Sequence, residues 1–270
     1  MNYKVLEFEQ RGAIALLTLN RPERLNALSL ELLGELGDAL DRLMDDIKTR
    51  VVIIQGKGRA FCSGLDLNLY NAVISEEHEL GKAQYIYREL QQVFSGTILK
   101  IRRIPQPVIT AVAGPATGAG WSLAMASDVC IAGESARFNA AFIKVGFSAC
   151  DCGSSYFLPR LIGRARAAEY LLTGRFMNAV TAERFGLVSR IVPDAQVETT
   201  ALELAEEMLA TSPFGLRMTK EVFNQNIDAP SLEIAIQLED RTQTLCILTE
   251  DAKEGPKAFL EKRAPIWRDR

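Results

Sequence analysis

Two short stretches hold the residues best suited to chemistry: FCSGLDL, residues 61–67, and GPATGAGWS, residues 114–122. In each, an apolar run of strand type gives way to a helical pattern through glycine. Glycine lets backbone N–H groups approach a ligand closely, and the helix that follows adds the positive end of its dipole. Such N–H groups can bind a phosphate, or hold negative charge that develops on a carbonyl oxygen. The phosphate alternative has little support. GAGWSL lacks the third glycine of the dinucleotide spacing, and no Lys-Ser or Lys-Thr follows to make a P-loop. A carbonyl-polarising pair is the sharper reading, because one such donor contributes roughly 2.7–4 kcal/mol of transition-state stabilisation. The glycines could equally serve only tight packing of strand on helix, and the pattern by itself leaves both open.

Other chemistries find fewer residues. His78 is the single histidine and sits in the charged run EEHEL; it reads as a solvated side chain, and a Ser-His-Asp triad is not expected. The five cysteines are an odd number in a chain whose start, MNYKVLEFEQ, lacks an apolar signal core. Reduced thiols in a cytoplasmic protein are therefore expected. Cys150-x-Cys152 has no second pair or His to complete a zinc site. A net charge of −3 argues against a general nucleic-acid or anionic-membrane binder. Pro107 to Ser127 is uncharged over 21 residues, but its Gly and Pro content and a change of period at Gly114 divide it into a strand and a short helix. It is not read as a membrane span.

The elements that must position the two turns follow from the hydrophobic period. Tyr3–Glu9 and Ala13–Leu19 alternate and read as a hairpin turned at Arg11-Gly12. From Ser29, a suitable N-cap, the period becomes helical, with Leu32, Leu36, Leu40, Leu43 and Ile47 on one face. A buried strand is predicted at 51–54 and a long helix at 79–104, ended by Pro105 and Pro107. Strands are predicted again at 108–113 and 129–132, with the glycine turn and a helix between them. Alternating strands and helices imply an α/β core with a mainly parallel sheet. After about Ser154 the strand signal nearly disappears, and helices are expected at 201–209, 213–226, 232–248 and 252–262. No internal repeat is visible in the sequence. At 270 residues, one large domain with a helical appendage fits the length.

The segments NRPERLNALS, GRAFCSGLDL, PVITAVAGPATGAGWSLAMASDVCIA, ARF and LTGRFMNAVTAERFGLVSRIVP follow one another in order. In this the chain resembles the crotonase, or enoyl-CoA hydratase/isomerase, superfamily, from about Val5 to Arg263. The resemblance implies an α/β fold, a crotonase-like spiral of β-β-α units over residues 1–195. A helical C-terminal region, 196–270, would serve trimerisation and cap the active site. It further implies a homotrimer or homohexamer and an acyl-CoA thioester substrate, with no cofactor beyond the coenzyme A that is part of that substrate. By position, the donors to the thioester oxygen are the N–H groups of Leu65 and Ala119, with Gly118 and Gly120 allowing close approach. Arg24, Leu25 and Ala27, then Ser63, Gly64 and Asp66, match segments that lie along the CoA. Phe259 and Lys262 match a C-terminal pair that can reach the nucleotide end, sometimes from a neighbouring subunit.

The chain departs from the family's hydratase pattern at two places. The glutamates that would position and split water fall on Ser122 and Phe142, and neither can take a proton at neutral pH. A different acid is available in GFSACDCGSSYFLPRLIG, where Asp151 resembles the carboxylate of the family's isomerases, and the following SSYxxP strengthens that comparison. In an apolar pocket, desolvation would disfavour its charged form and bring it toward a useful acid/base range; the alternative is an N-cap for the helix near Ser154. The dehalogenase variant needs a histidine at a position that aligns near Ser95 and is discounted. Ser122 could donate to a water or to the acyl group, or fill space beside Trp121. The expected reaction is double-bond isomerisation, with hydration and a degenerate acyl-CoA binder as alternatives. Trp121, Phe142 and Phe147 point to a bulky or ring-bearing acyl group.

Overall fold

The computed structural model describes residues 3–75, 79 and 81–270; His78, expected to be solvated, lies outside the described residues. The hairpin expected at the start is present as β1 (Leu6–Arg11) and β2 (Ile14–Leu19), turned through Gly12 at φ +60°. The first helix, α1 (Leu30–Asp45), is capped by Ser29, whose hydroxyl accepts the Leu32 N–H at 3.2 Å. Leu32, Leu36, Leu40 and Leu43 are buried along it. Ile47 corrects the expected face: the chain leaves helical geometry at Asp46, and Ile47 is 71% exposed.

Three similar units then succeed one another. Each sends a strand through the main sheet, continues as a short extended segment in a second layer, and closes with a helix. The first is β3 (Val51–Gly56), the extended residues around Cys62 and Leu65, and α2 (Leu67–Ser75). A long helical stretch follows, made of α3 (Lys82–Tyr85), a π-helical turn Ile86–Gln91, and α4 (Gln92–Arg103). The second unit is β4 (Val108–Val112), β5 (Pro115–Thr117) and α5 (Ala119–Ala126). The third is β6 (Val129–Gly133), β7 (Arg137–Asn139) and α6 (Ser154–Ile162). Next come α7 (Arg164–Thr173), β8 (Met177–Asn178), α8 (Ala179–Phe185) and β9 (Arg190–Val192). Four helices end the chain: α9 (Val197–Leu209), α10 (Pro213–Asn226), α11 (Leu232–Ile247) and α12 (Asp251–Leu260).

This is the α/β spiral of β-β-α units with a helical C-terminal region. Its main sheet runs β1-β2-β3-β4-β6-β9, parallel except for the opening hairpin. The second layer is β5-β7-β8, extended by parallel bridges Leu28–Leu65 and Cys62–Ala116. The strands β5, β7, β8 and β9 lie outside the sequence expectation because two or three residues cannot display alternation.

Side chains of the parallel strands alternate between two cores. Val51, Ile53, Ile109 and Ile131 meet Val197, Ala201 and Ala205 of α9. Val52, Ile54, Val108 and Val112 face the opposite way, in the core that includes α1, α4 and α5. Among the described residues no helix is long and apolar enough to cross a membrane.

Candidate active site

The two glycine turns touch. A Cβ on Gly64 would lie 2.7 Å from the Thr117 carbonyl oxygen and 3.3 Å from the Ala119 nitrogen. Gly64 also has φ +87°, so both space and backbone conformation demand glycine there. The contact is fastened by hydrogen bonds: Thr117 N–H donates to Cys62 O at 2.9 Å, and the Thr117 hydroxyl donates to Ser63 O at 2.8 Å. Gly118, at φ 54° and ψ −125°, turns the chain into α5. Among the described residues, neither the Leu65 nor the Ala119 N–H donates to a protein acceptor. Two free backbone donors therefore stand on adjoining turns. Gly120 has another explanation, since a Cβ there would lie 2.3 Å from Cys62 O, and its glycine serves close packing of α5 on the first turn.

Beside these turns opens a cavity of about 340 Å³, lined by Leu65, Tyr70, Leu90, Phe94, Phe142 and Phe147, with Ile86, Gln91, Ser148, Cys150 and Asp151 completing the wall. Phe142 packs over the glycine turn, 3.6 Å from where a Gly118 Cβ would be. Tyr70 and Phe147 meet edge to face, with ring centroids 4.9 Å apart. The wall is mainly apolar, and Asp151 is its one carboxylate among the described residues.

Asp151 does not cap α6 with its side chain; the N-cap is Gly153, and Asp151 accepts the Ser154 N–H through its main-chain carbonyl. Its carboxylate instead uses one oxygen twice. Oδ1 accepts the Cys152 N–H at 2.7 Å and also a hydrogen bond from Gln91 Nε2. Oδ2 accepts none among the described residues. Gln91 is a site residue that the sequence reading missed, because it lies 60 positions away on a helix with no motif. Behind Asp151, burial and the carboxylate's own charge push the Cys152 thiol upward. Burial likewise holds Cys62 at about 12, so neither is a ready thiolate.

Ser122 and Trp121 fall outside the cavity wall. Both are fully buried, and Ser122 Oγ lies 3.3 Å from Ser154 Oγ, not against the cavity. Trp121 fills the core. Neither reaches this cavity, because the α5 residues after Ala119 turn inward, toward the sheet and α6. Ser95 hydrogen-bonds to the Gln91 carbonyl and is also absent from the wall.

The segments expected to follow the CoA are zipped together. Leu28 N–H donates to Gly64 O at 2.7 Å, Asp66 N–H to Leu28 O, and Ser63 N–H to Leu25 O at 3.0 Å. Arg21, half-buried, pairs with Asp66 at 3.0 Å and reaches the Ala27 carbonyl. Asn26, buried in left-handed geometry, accepts the Arg21 N–H and donates to the Lys57 and Ala60 carbonyls. Arg24 is exposed at the rim of this segment. Phe259 and Lys262 lie exposed at the end of α12, and within one chain they are not brought to the cavity.

Compared with known proteins, residues 9–270 match the sequence model of the family described as Enoyl-CoA hydratase/isomerase. The chain belongs to this family. A Mycobacterium tuberculosis H37Rv protein named "Probable enoyl-CoA hydratase EchA12" is 41% identical over 266 residues, 98% of this chain and 93% of that protein. The 1,2-epoxyphenylacetyl-CoA isomerase of Escherichia coli K12 is 36% identical over 261 residues, 97% of each chain. Among solved structures, the enoyl-CoA hydratase of Bacillus anthracis superposes with a TM-score of 0.91 at 33% identity, covering 99% of this chain and 100% of that one. The family's named members thus include hydratases and isomerases, and the family match leaves the reaction to be argued from the cavity.

Proposed function

We propose that the protein moves a double bond along an enoyl-CoA thioester, with Asp151 as the only proton shuttle. The observation that carries this reading is that, among the described residues, Asp151 is the one carboxylate in the cavity wall, with Oδ2 unpaired, and that Leu65, which bears one of the two free N–H donors, lines the same cavity. The Leu65 and Ala119 N–H groups would both donate to the thioester oxygen. Held there, its C2 protons become acidic, because the negative charge of the enolate moves onto that oxygen. Asp151 Oδ2 takes a proton from C2 of a 3-enoyl thioester, and the electron pair spreads over a dienolate. Returning the same proton to C4 yields the 2-enoyl thioester, and the carboxylate is restored with no atom gained or lost. One group with one free oxygen suffices for both transfers.

Hydration is the second reading, favoured by the relative at 41% identity that bears a hydratase name. It needs a second proton-handling group for the water. The positions where family resemblance places the two glutamates hold Ser122, fully buried against Ser154, and Phe142, a hydrophobic wall. That supports isomerisation over hydration. The aromatic wall and the volume of about 340 Å³ support a bulky or ring-bearing acyl group, in keeping with the phenylacetyl group named for the E. coli relative. The test is to incubate the protein separately with 3-enoyl- and 2-enoyl-CoA and weigh the products. An isobaric product from the 3-enoyl ester is expected; a product heavier by one water would replace this reading with hydration, and no turnover with retained CoA binding would leave a binder.

A further inference from the structure

The proton shuttle requires its carboxylate to be ionised and aimed, and the fold supplies neither by charge. Among the described residues, the other titratable groups facing Asp151 are Tyr70 on α2, Cys150 beside it and the buried Cys152 thiol behind it; no Lys or Arg lines the wall. What meets the carboxylate instead is the neutral amide of Gln91. Its position depends on the π-helical turn Ile86–Gln91. In an α-helix, residues five apart point about 140° away from one another, so Ile86 and Gln91 could not share a wall. The wider i→i+5 turn brings them onto one face, where both line the cavity with Leu90 and Phe94. The helix departs from its ordinary period at the one turn that presents Gln91 to Asp151.

We infer that Gln91 is a positioning residue for the proton shuttle: its side-chain N–H holds Asp151 Oδ1, favours the ionised carboxylate and leaves Oδ2 as the oxygen that moves the proton. This rests on the reading of Asp151 as the shuttle. A hydrogen bond donated to a carboxylate stabilises its charged form without adding a charge. It also divides the two oxygens, because Oδ1 is held by both Gln91 and the Cys152 N–H. Cys152 stands at positive φ, 46°, so the backbone bends to make the second of these bonds.

The test compares Gln91→Met, which keeps the length and helical preference but loses the donor, with Gln91→Glu and Asp151→Asn on a 3-enoyl-CoA probe. With the shuttle held by Gln91, Gln91→Met lowers kcat about tenfold, leaves KM within about twofold, and moves the acid limb of the kcat/KM profile to higher pH. Gln91→Glu sets a second acid against Oδ1 and moves that limb further the same way; it serves if the Met variant folds poorly. An unmoved alkaline limb shows that the change is local. If Asp151→Asn is inactive while both Gln91 variants keep the wild-type kcat and acid limb, the inference is overturned and the shuttle stands. A loss of activity with the acid limb unmoved assigns Gln91 a structural role only and also overturns it. If Asp151→Asn is fully active, the shuttle itself fails.

Discussion

The hydroxyl of Ser122 lies 3.3 Å from that of Ser154, and Ser154 in turn donates to the main-chain carbonyl of Asp151 at 2.7 Å. Because Ser154 gives its one proton to that carbonyl, Ser122 donates to Ser154. The residue standing where a family hydratase would carry a glutamate thus ties α5 to the loop that bears the acid. It acts on Asp151 through the backbone.

Ser122→Ala should therefore lower stability by about 1 kcal/mol, the usual net loss for one hydrogen bond, with a small fall in kcat. Ser122→Glu should not create a hydratase. The site is fully buried, so a larger, unpaired carboxylate would cost several kcal/mol. Denaturant unfolding of both variants, with product masses from a 2-enoyl thioester, checks this. Water addition by a stable Ser122→Glu protein would contradict it.

Gly64 and Gly34 should respond oppositely to alanine. A Cβ on Gly64 would meet the Thr117 oxygen at 2.7 Å on a backbone of positive φ. Gly64→Ala is expected to cost about 1–3 kcal/mol and, by displacing the neighbouring donors, to lower kcat about 10²-fold or more. Gly34, exposed within α1, has nothing within 4 Å of its missing Cβ. Gly34→Ala should stabilise by about 0.5–1 kcal/mol with activity unchanged. Paired melting curves and initial rates decide both.

Lys220 fastens α10 to the core. Its Nζ lies 2.9 Å from Asp128 Oδ2 and donates to the carbonyls of Gln106 and Ile101, with only 7% of the residue exposed. Burial lowers its affinity for a proton, against the pull of Asp128. Lys220→Met leaves the Asp128 carboxylate with the Val108 N–H at 2.7 Å and Arg102 at 3.5 Å as its one remaining charge partner among the described residues, and should cost about 3–5 kcal/mol. Urea midpoints at neutral pH measure it.

Glu254 provides the pH-dependent contact. Arg263 donates to both of its oxygens and the Ile266 N–H to one, holding the C-terminal segment on α12. Hydrogen bonding from Arg263, then from the Ile266 backbone, brings the carboxyl from its ordinary 4.5 down to about 2. A depressed carboxylate contributes stability above its unfolded pKa and loses it as pH falls through the folded one. The stability advantage of wild type over Glu254→Gln should therefore be complete above pH 4.5 and vanish by about pH 2. Melting temperatures of the two proteins across that interval test it.

The sequence disclosed these features unevenly, for physical reasons. Ser29 and the leucines of α1 were legible because capping and helical period are local. The three spiral units escaped as a repeat, since their second extended segments are isolated bridges in the first and three-residue strands in the other two, and share no spacing. Every residue of α5 is buried, so no contrast of polar and apolar positions records the rotation that turns Trp121 and Ser122 toward the core. That rotation is fixed by packing on the sheet and α6, which no single stretch records. Gln91 was invisible for a related reason: a π turn leaves no mark in a pattern of apolar residues, and its partner is distant in the chain.

Whether one carboxylate moves the proton is decided by the rate of 3-enoyl- to 2-enoyl-CoA conversion by wild type and Asp151→Asn, with product mass recorded. An isobaric product is expected, with a loss of about 10²–10⁴-fold in kcat for the variant. Undiminished turnover by Asp151→Asn, or a product heavier by one water, would contradict it.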